Sequence, residues 1–373
     1  MGAATAATDT RRPLTGAAAA AASPPAPRLG ARARVEATAA RALLALPPTL
    51  KRRIAGEPIR RDGLELDLDT QVLLRFDRAE TVAALTPAEA RANLRAQALV
   101  AAGRPIPLAR GEEMSVAGAE GPLRARVYTS AEAAAAERGP LLVYYHGGGW
   151  VAGDLETHDA SLRVLARASG ARVLSVDYRL APEHPFPAAI DDALAAFRDA
   201  VARADELGAD PERIAVGGDS AGGHLAAVTS MLSAADGGPA PAFQLLVYPV
   251  TDCAEVHASR RTFAEGFYLT KEKMDWYEAH FLAAGGDRRD PRISPFHADD
   301  LSGVAPALVI SAGFDPLRDE GEAFAAKLRE AGVRCGLRRH PGYVHGFFNV
   351  VGIGPGGREA VAEAGGMLRA ALT

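Results

Sequence analysis

The chain has 373 residues, a net charge of -4, 48% hydrophobic residues and 24% charged residues. That length suits one large α/β domain with an appendage, and the weak negative charge leaves no electrostatic footprint for nucleic acid. Cys253 and Cys335 are the only cysteines and read as free thiols, and no stretch is long and apolar enough to span a membrane.

Residues 1–32 are low in complexity. Arg11 and Arg12 precede an alanine run and then "SPPAP". Two readings exist, a twin-arginine export signal and a disordered Ala/Pro tail. The alanine run is short and weakly apolar, and Pro13 follows the arginines directly. These features favour the tail, and with it a cytoplasmic protein.

Residues 33–104 read as helices without strands. In "TPAEARANLRAQALVAAG" Thr86 is placed to cap, Pro87 takes the first helical position, Glu89 completes a capping box and Gly103 ends the run. No catalytic residue types cluster here, so the segment is expected to be a helical cap or support.

Residues 105–373 alternate strand and helix patterns. "LRARVYT" (123–129) alternates apolar and polar residues. The runs at 141–145, 172–178, 213–218, 243–249 and 307–313 are short and mostly apolar, as strands buried on both faces are. Helical patterns at 157–169, 187–207, 221–234 and 317–331 lie between them. The expectation is a mostly parallel, doubly wound α/β sheet, with ligands beyond the carboxyl ends of its strands. Residues 251–300 interrupt the alternation with "TKEKMDWYEAHFLAAGG" and are expected to join the cap or the pocket rim.

The chemistry gathers around "RIAVGGDSAGGHLAAVTSML". A strand runs into Gly218-Asp219-Ser220-Ala221-Gly222, and a helix follows. This G-x-S-x-G pattern in strand–turn–helix context reads as a nucleophile elbow presenting the Ser220 hydroxyl. A serine needs a base at the same end of the sheet. His345 lies in the loop after the last strand-like run, and His340, at or near that strand's end, is its rival. Of the other histidines, His224 is expected to pack and His146 to organise the glycine loop. His158, His184, His257, His280 and His297 are expected in surface, cap or structural roles. The base needs an orienting acid. Asp315 lies just beyond the strand at 307–313, whereas Asp319 sits at a helix start, where acids commonly serve the helix dipole. "HGGGW" (146–150) ends an early strand. Bare backbone there, at Gly148 and Gly149, can join Ala221 in aiming N–H groups at an oxyanion. The competing reading is a plain tight turn. Trp150 has two readings, lining the pocket entrance to meet substrate or packing the loop.

"HGGGWVAGDLETHD", "VDYRLAPEHPFPAAIDD", "GGDSAGGHLA", "DPLRDEGEAFAAKLREAG" and "YVHGFF" together resemble the hormone-sensitive-lipase-like carboxylesterases, bacterial family IV, in the subgroup with GDSAG at the elbow. The resemblance spans roughly residues 62–350. It implies an α/β-hydrolase fold with an N-terminal helical cap. It also implies Ser220 as nucleophile, Asp315 as acid, His345 as base, and an oxyanion hole of Gly148, Gly149 and Ala221. The expected activity is hydrolysis of short- to medium-chain acyl esters through an acyl-enzyme. The expected partner is a small-molecule ester, with no cofactor, no metal, no nucleic acid and no membrane. Many family members dimerise, which leaves a homodimer open. The triad alone also suits an amidase, a lactonase or a carbamate hydrolase. A non-catalytic ligand-binding protein on the same scaffold is the reading from another class.

Overall fold

The computed structural model of the chain describes residues 30–76 and 82–373; the paired arginines and the alanine run lie outside these residues. A helix already begins at Ala31, inside the stretch expected as tail, and runs as Ala31–Leu44. Helices Pro48–Ala55, Leu68–Leu74 and Pro87–Ala102 follow. Thr86 and Glu89 form the capping box, and Gly103 ends the last of these helices with φ +71°. The region is not strand-free. Arg60–Arg61 (β1) and Leu64–Glu65 (β2) pair as a small antiparallel hairpin across Asp62-Gly63. Asp62 and Gly63 both take positive φ, the turn conformation that Asp-Gly favours.

Eight further strands make the main sheet: β3 (Arg110–Gly118), β4 (Gly121–Thr129), β5 (Gly139–Tyr145), β6 (Arg172–Val176), β7 (Ala209–Asp219), β8 (Gln244–Val247), β9 (Ala307–Phe314) and β10 (Cys335–Val344). Their order is β10-β9-β8-β7-β5-β6-β4-β3. The six strands from β6 to β10 in this order pair in parallel, and β4 and β3 are antiparallel additions at one edge. β6, β8 and β9 are buried throughout, as their unbroken apolar runs require. β3 was not foreseen from sequence. It is a half-exposed edge strand rich in Glu and Gly, so it lacks the apolar run that marked the others.

The cores lie on both faces of the sheet. A smaller cluster joins Leu66, Phe263, Phe267, Phe314 and Val344, with Leu64 and Tyr268 packed against it. The hairpin region thus rests on the ends of β9 and β10. Asp67 N–H bonds the Gly342 carbonyl at 2.9 Å, and Arg318 reaches Asp62 at 2.8 Å. The segment at 251–300 yields helix Lys271–Phe281, capped by Thr270, which lies over the carboxyl end of the sheet against the loop that follows β5.

Candidate active site

Four of the five parallel strands from β10 to β5 deliver the candidate residues at their carboxyl ends. His146–Gly149 follow β5, Ser220 follows β7, Asp315 follows β9 and His345 follows β10. The three residues chosen by chain order meet. Ser220 Oγ lies 3.0 Å from His345 Nε2, and His345 Nδ1 lies 2.8 Å from Asp315 Oδ2. Asp315 is fully buried and also accepts from Leu317 N–H at 2.8 Å. The rivals are occupied elsewhere. Asp319 accepts from Ser259 N–H and Arg318. His340 lies within β10, stacked on Tyr343, with Glu363 3.8 Å away.

Ser220 sits at φ +57°, ψ -120°, a strained backbone for a residue with a Cβ. The strain is held by close packing. A Cβ on Gly218 or Gly222 would overlap the backbone of Tyr145 at the end of β5. Side chains at these two positions would push the elbow off the sheet. Ser220 N–H bonds the Val247 carbonyl at 2.8 Å, which fixes the turn against β8.

Each glycine of "HGGGW" faces a different neighbour. A Cβ at Gly147 would come within 2.7 Å of Asp219 Oδ2, one at Gly148 would overlap the Ala152 carbonyl, and one at Gly149 would overlap the ring of Tyr277. Gly148 has φ +121° and Gly149 φ +61°. The Gly148 carbonyl accepts from Val151 and Ala152, so the segment is indeed a tight turn as well. Gly147 N–H is taken by Asp219 Oδ1 at 3.0 Å. Among the described residues, Gly148 and Gly149 N–H have no protein acceptor. Ala221 opens helix Ala221–Ala235, where the first N–H groups lack intrahelical partners.

Trp150 packs the loop and does not line an entrance, contrary to the substrate-contact reading. It is 2% exposed, stacks on Phe281 with ring centres 4.2 Å apart, and donates its Nε1–H to His224 Nδ1 at 3.2 Å. His224 faces the Arg292 carbonyl through Nε2 at 3.0 Å. Burial, opposed by these backbone contacts, pushes its pKa down to about 4. His146 stacks on Tyr178 and is likewise lowered to about 4 by burial and by His158.

The roof comes from two places. Helix Lys271–Phe281 sits on the glycine loop through Tyr277 and Phe281. Helix Pro87–Ala102 is tied down by Arg91, which bonds the carbonyls of Val151 and Ala181 and the carboxylate of Glu183, and by Arg95 on Asp154. Glu183 therefore anchors a loop. Tyr268, at φ +68°, donates to Gln97 at 3.1 Å, and its ring edge would lie 3.1 Å from a Cβ on Gly346, beside His345.

Asp219 escaped the reading by sequence as anything more than a letter of the elbow motif. It is 3% exposed and ringed by donors. Burial raises its pKa, but His158, Tyr144 and the Gly147 N–H outweigh burial and hold the carboxyl at about 2. His158 is buried beside it, a structural histidine in the interior and not on the surface.

A family model described as alpha/beta hydrolase fold matches residues 142–349. A carboxylic ester hydrolase of Mycobacterium tuberculosis is 44% identical over 340 residues, covering 87% of this chain and 89% of the relative. An ethyl acetate hydrolase of Pseudomonas putida is 41% identical over 61% of this chain and 72% of its own length. Among solved structures, an ester hydrolase from the metagenome of Lake Arreo, in complex with a phosphonate, is 43% identical. It superposes with a TM-score of 0.79 over 82% of this chain and 98% of its own. An esterase of Pyrobaculum calidifontis is 40% identical, with a TM-score of 0.76 over 83% of this chain and 100% of its own. The chain belongs to the hormone-sensitive-lipase-like carboxylesterases of the α/β-hydrolase fold and is a serine ester hydrolase.

Proposed function

We propose that Ser220 is the nucleophile, His345 the general base and acid, and Asp315 the residue that orients the imidazole. Gly148, Gly149 and Ala221 then supply the oxyanion N–H groups, and the substrates are short- to medium-chain acyl esters. The observation that carries the reading is the unbroken chain from Ser220 Oγ through both His345 nitrogens to Asp315, at 3.0 and 2.8 Å. His345 Nε2 accepts the hydroxyl proton as Oγ attacks the ester carbonyl. The oxyanion forms against the N–H groups and collapses, and His345 protonates the leaving alcohol. Water, deprotonated by His345, then cleaves the acyl-enzyme and releases the acid. All proton transfers close within the triad, so no cofactor enters the scheme.

The helices before residue 104 and the segment 251–300 form the cap in this reading. Support for a short acyl chain comes from the tyrosines close to the glycine loop and the His345 loop, and from the relative named for ethyl acetate. A cytoplasmic location and a homodimer belong to the same proposal, drawn from the composition of the tail and the habit of the family.

The test uses Ser220→Ala with a p-nitrophenyl ester series from acetate to palmitate and matched anilides. Wild type should favour the short esters over both palmitate and the anilides. Ser220→Ala should lose about four powers of ten in kcat. A variant keeping more than about a tenth of the rate overturns the assignment.

A further inference from the structure

The carboxylate of Asp219 gathers five donors from four stretches of the chain. Oδ1 accepts from the Tyr144 hydroxyl at 2.9 Å and Gly147 N–H at 3.0 Å, and His158 Nε2 stands 3.1 Å away. Oδ2 accepts from the Asn349 amide at 3.0 Å and from the Tyr248 hydroxyl at 3.4 Å. Tyr144 lies in β5, and Gly147 opens the glycine loop. Asn349 closes the short 3-10 turn Phe347–Asn349 behind His345. Tyr248 follows β8 at φ +34°, with its ring centre 4.5 Å from that of His345. Asn349 is itself held by Ser161, whose hydroxyl donates to its Oδ1 at 2.8 Å.

A run of three glycines has no side chains with which to hold its own orientation. Its backbone groups must be held from outside, and Gly147 N–H is held by Asp219. Asp219 is bonded to the next residue, Ser220, so the same carboxylate ties the glycine loop to the elbow. Through Asn349 and Tyr248 it also braces the loop carrying His345. Only an ionised carboxylate can accept on this many sides; an amide would present donors to donors. Stability alone gives a weak reason to keep a buried charge, since apolar replacements of buried polar networks are often neutral.

We propose that Asp219 is a positioning residue for ester hydrolysis, holding the glycine loop and the His345 loop in register with Ser220. The proposal rests on the catalytic reading of Ser220, His345, Gly148 and Gly149. Asp219 touches no substrate and acts through Gly147, Asn349 and Tyr248.

The experiment compares wild type, Asp219→Asn, Asn349→Ala and Tyr144→Phe with a matched pair of ketone inhibitors. A trifluoromethyl ketone adds to the serine and forms an oxyanion, while the plain methyl ketone of the same chain only binds. Asp219→Asn should lower kcat about 10- to 100-fold, the scale of a roughly 1 Å misplacement, with KM within about threefold of wild type. Trifluoromethyl ketone affinity should fall in step with kcat, and methyl ketone affinity should hold. Asn349→Ala and Tyr144→Phe should show the same pattern more weakly, and they decide the matter if Asp219→Asn does not fold. Loss of thermal stability with kcat and trifluoromethyl ketone affinity near wild type overturns the proposal, because the network is then scaffolding alone. Equal weakening of both ketones overturns it as well, because the pocket has then collapsed. Ser220→Ala separates the two levels: activity surviving there removes the catalytic reading itself, whatever Asp219→Asn does.

Discussion

The ring of Tyr277 stands where a side chain at position 149 would have to go. A Cβ on Gly149 overlaps Cγ and Cδ1 of that ring, and Gly149 itself holds φ +61°. The glycine loop and the roof above it are thus in direct contact, and the contact exists only because residue 149 has no side chain.

Gly149→Ala is therefore expected to shift helix Lys271–Phe281 or to turn the peptide plane at 149. Losing one oxyanion donor costs about two to three powers of ten in kcat. The left-handed backbone adds about 1–2 kcal/mol of destabilisation. Gly366→Ala is the control. It lies in helix Gly356–Ala371, where a Cβ meets nothing, and should raise stability by about 0.5–1 kcal/mol without changing turnover. Steady-state kinetics and thermal unfolding of the two variants check the contrast.

Ser220 stores backbone strain at φ +57°, ψ -120°. Ser220→Gly removes both the proposed nucleophile and the Cβ that makes this conformation unfavourable. The variant should be inactive and more stable than wild type, by a fraction of the roughly 1–3 kcal/mol such strain costs. Ser220→Ala should be inactive with little gain, because the Cβ remains. Denaturant unfolding of both variants gives the comparison, and equal stabilities would show that the strain is absent.

Asp315 and Asp319 should separate cleanly. Asp315→Asn breaks the 2.8 Å contact with His345 and should lower kcat by about four powers of ten. Asp319→Asn disturbs the contacts with Ser259 and Arg318, so its effect should fall on stability while kcat stays near wild type. The kcat ranking of the two variants is the measurement.

His224 sets an acid limit on stability. Its folded pKa lies at about 4, below the value of roughly 6.5 expected in the unfolded chain. Above pH 6.5 both states hold it neutral. As pH falls from 6.5 towards 4, the unfolded chain takes up a proton that the folded one refuses, so stability is lost across that window. The physical cause is burial: the fully buried imidazole loses the water that would stabilise its charge, and the backbone carbonyls of Arg292 and Ile293 offset this only in part. A shift of this size is worth about 3 kcal/mol once pH is below the folded value. His224→Gln keeps a donor and an acceptor but does not titrate, so its melting temperature should fall less between pH 6.5 and 4.5. His146, lowered in the same way, adds to the wild-type slope and remains in the variant.

The strands of the sheet's centre were legible because burial on both faces demands unbroken apolar runs, as in "LLVYY" and "ALVISAG". β3 and the β1–β2 hairpin were not, because an exposed edge and a two-residue pairing impose no such demand. Trp150 carried two readings in the sequence. Its burial against Phe281, 131 positions away, made it a packing residue.

The sequence by itself determined the elbow, whose glycines and serine are neighbours in the chain and whose strain is a local backbone property. It also determined the order Ser220, Asp315, His345, because each lies just past a strand and parallel strands bring such loops to one edge. Only the tertiary structure decided why three glycines follow His146. Their neighbours are Asp219, the Ala152 carbonyl and Tyr277, and two of those three lie more than seventy positions downstream. It alone also made Asp219 a hub, since its five donors come from four separate segments of the chain. A contact between distant segments leaves no periodic or local mark in a sequence; it appears only when packing brings the two backbones together.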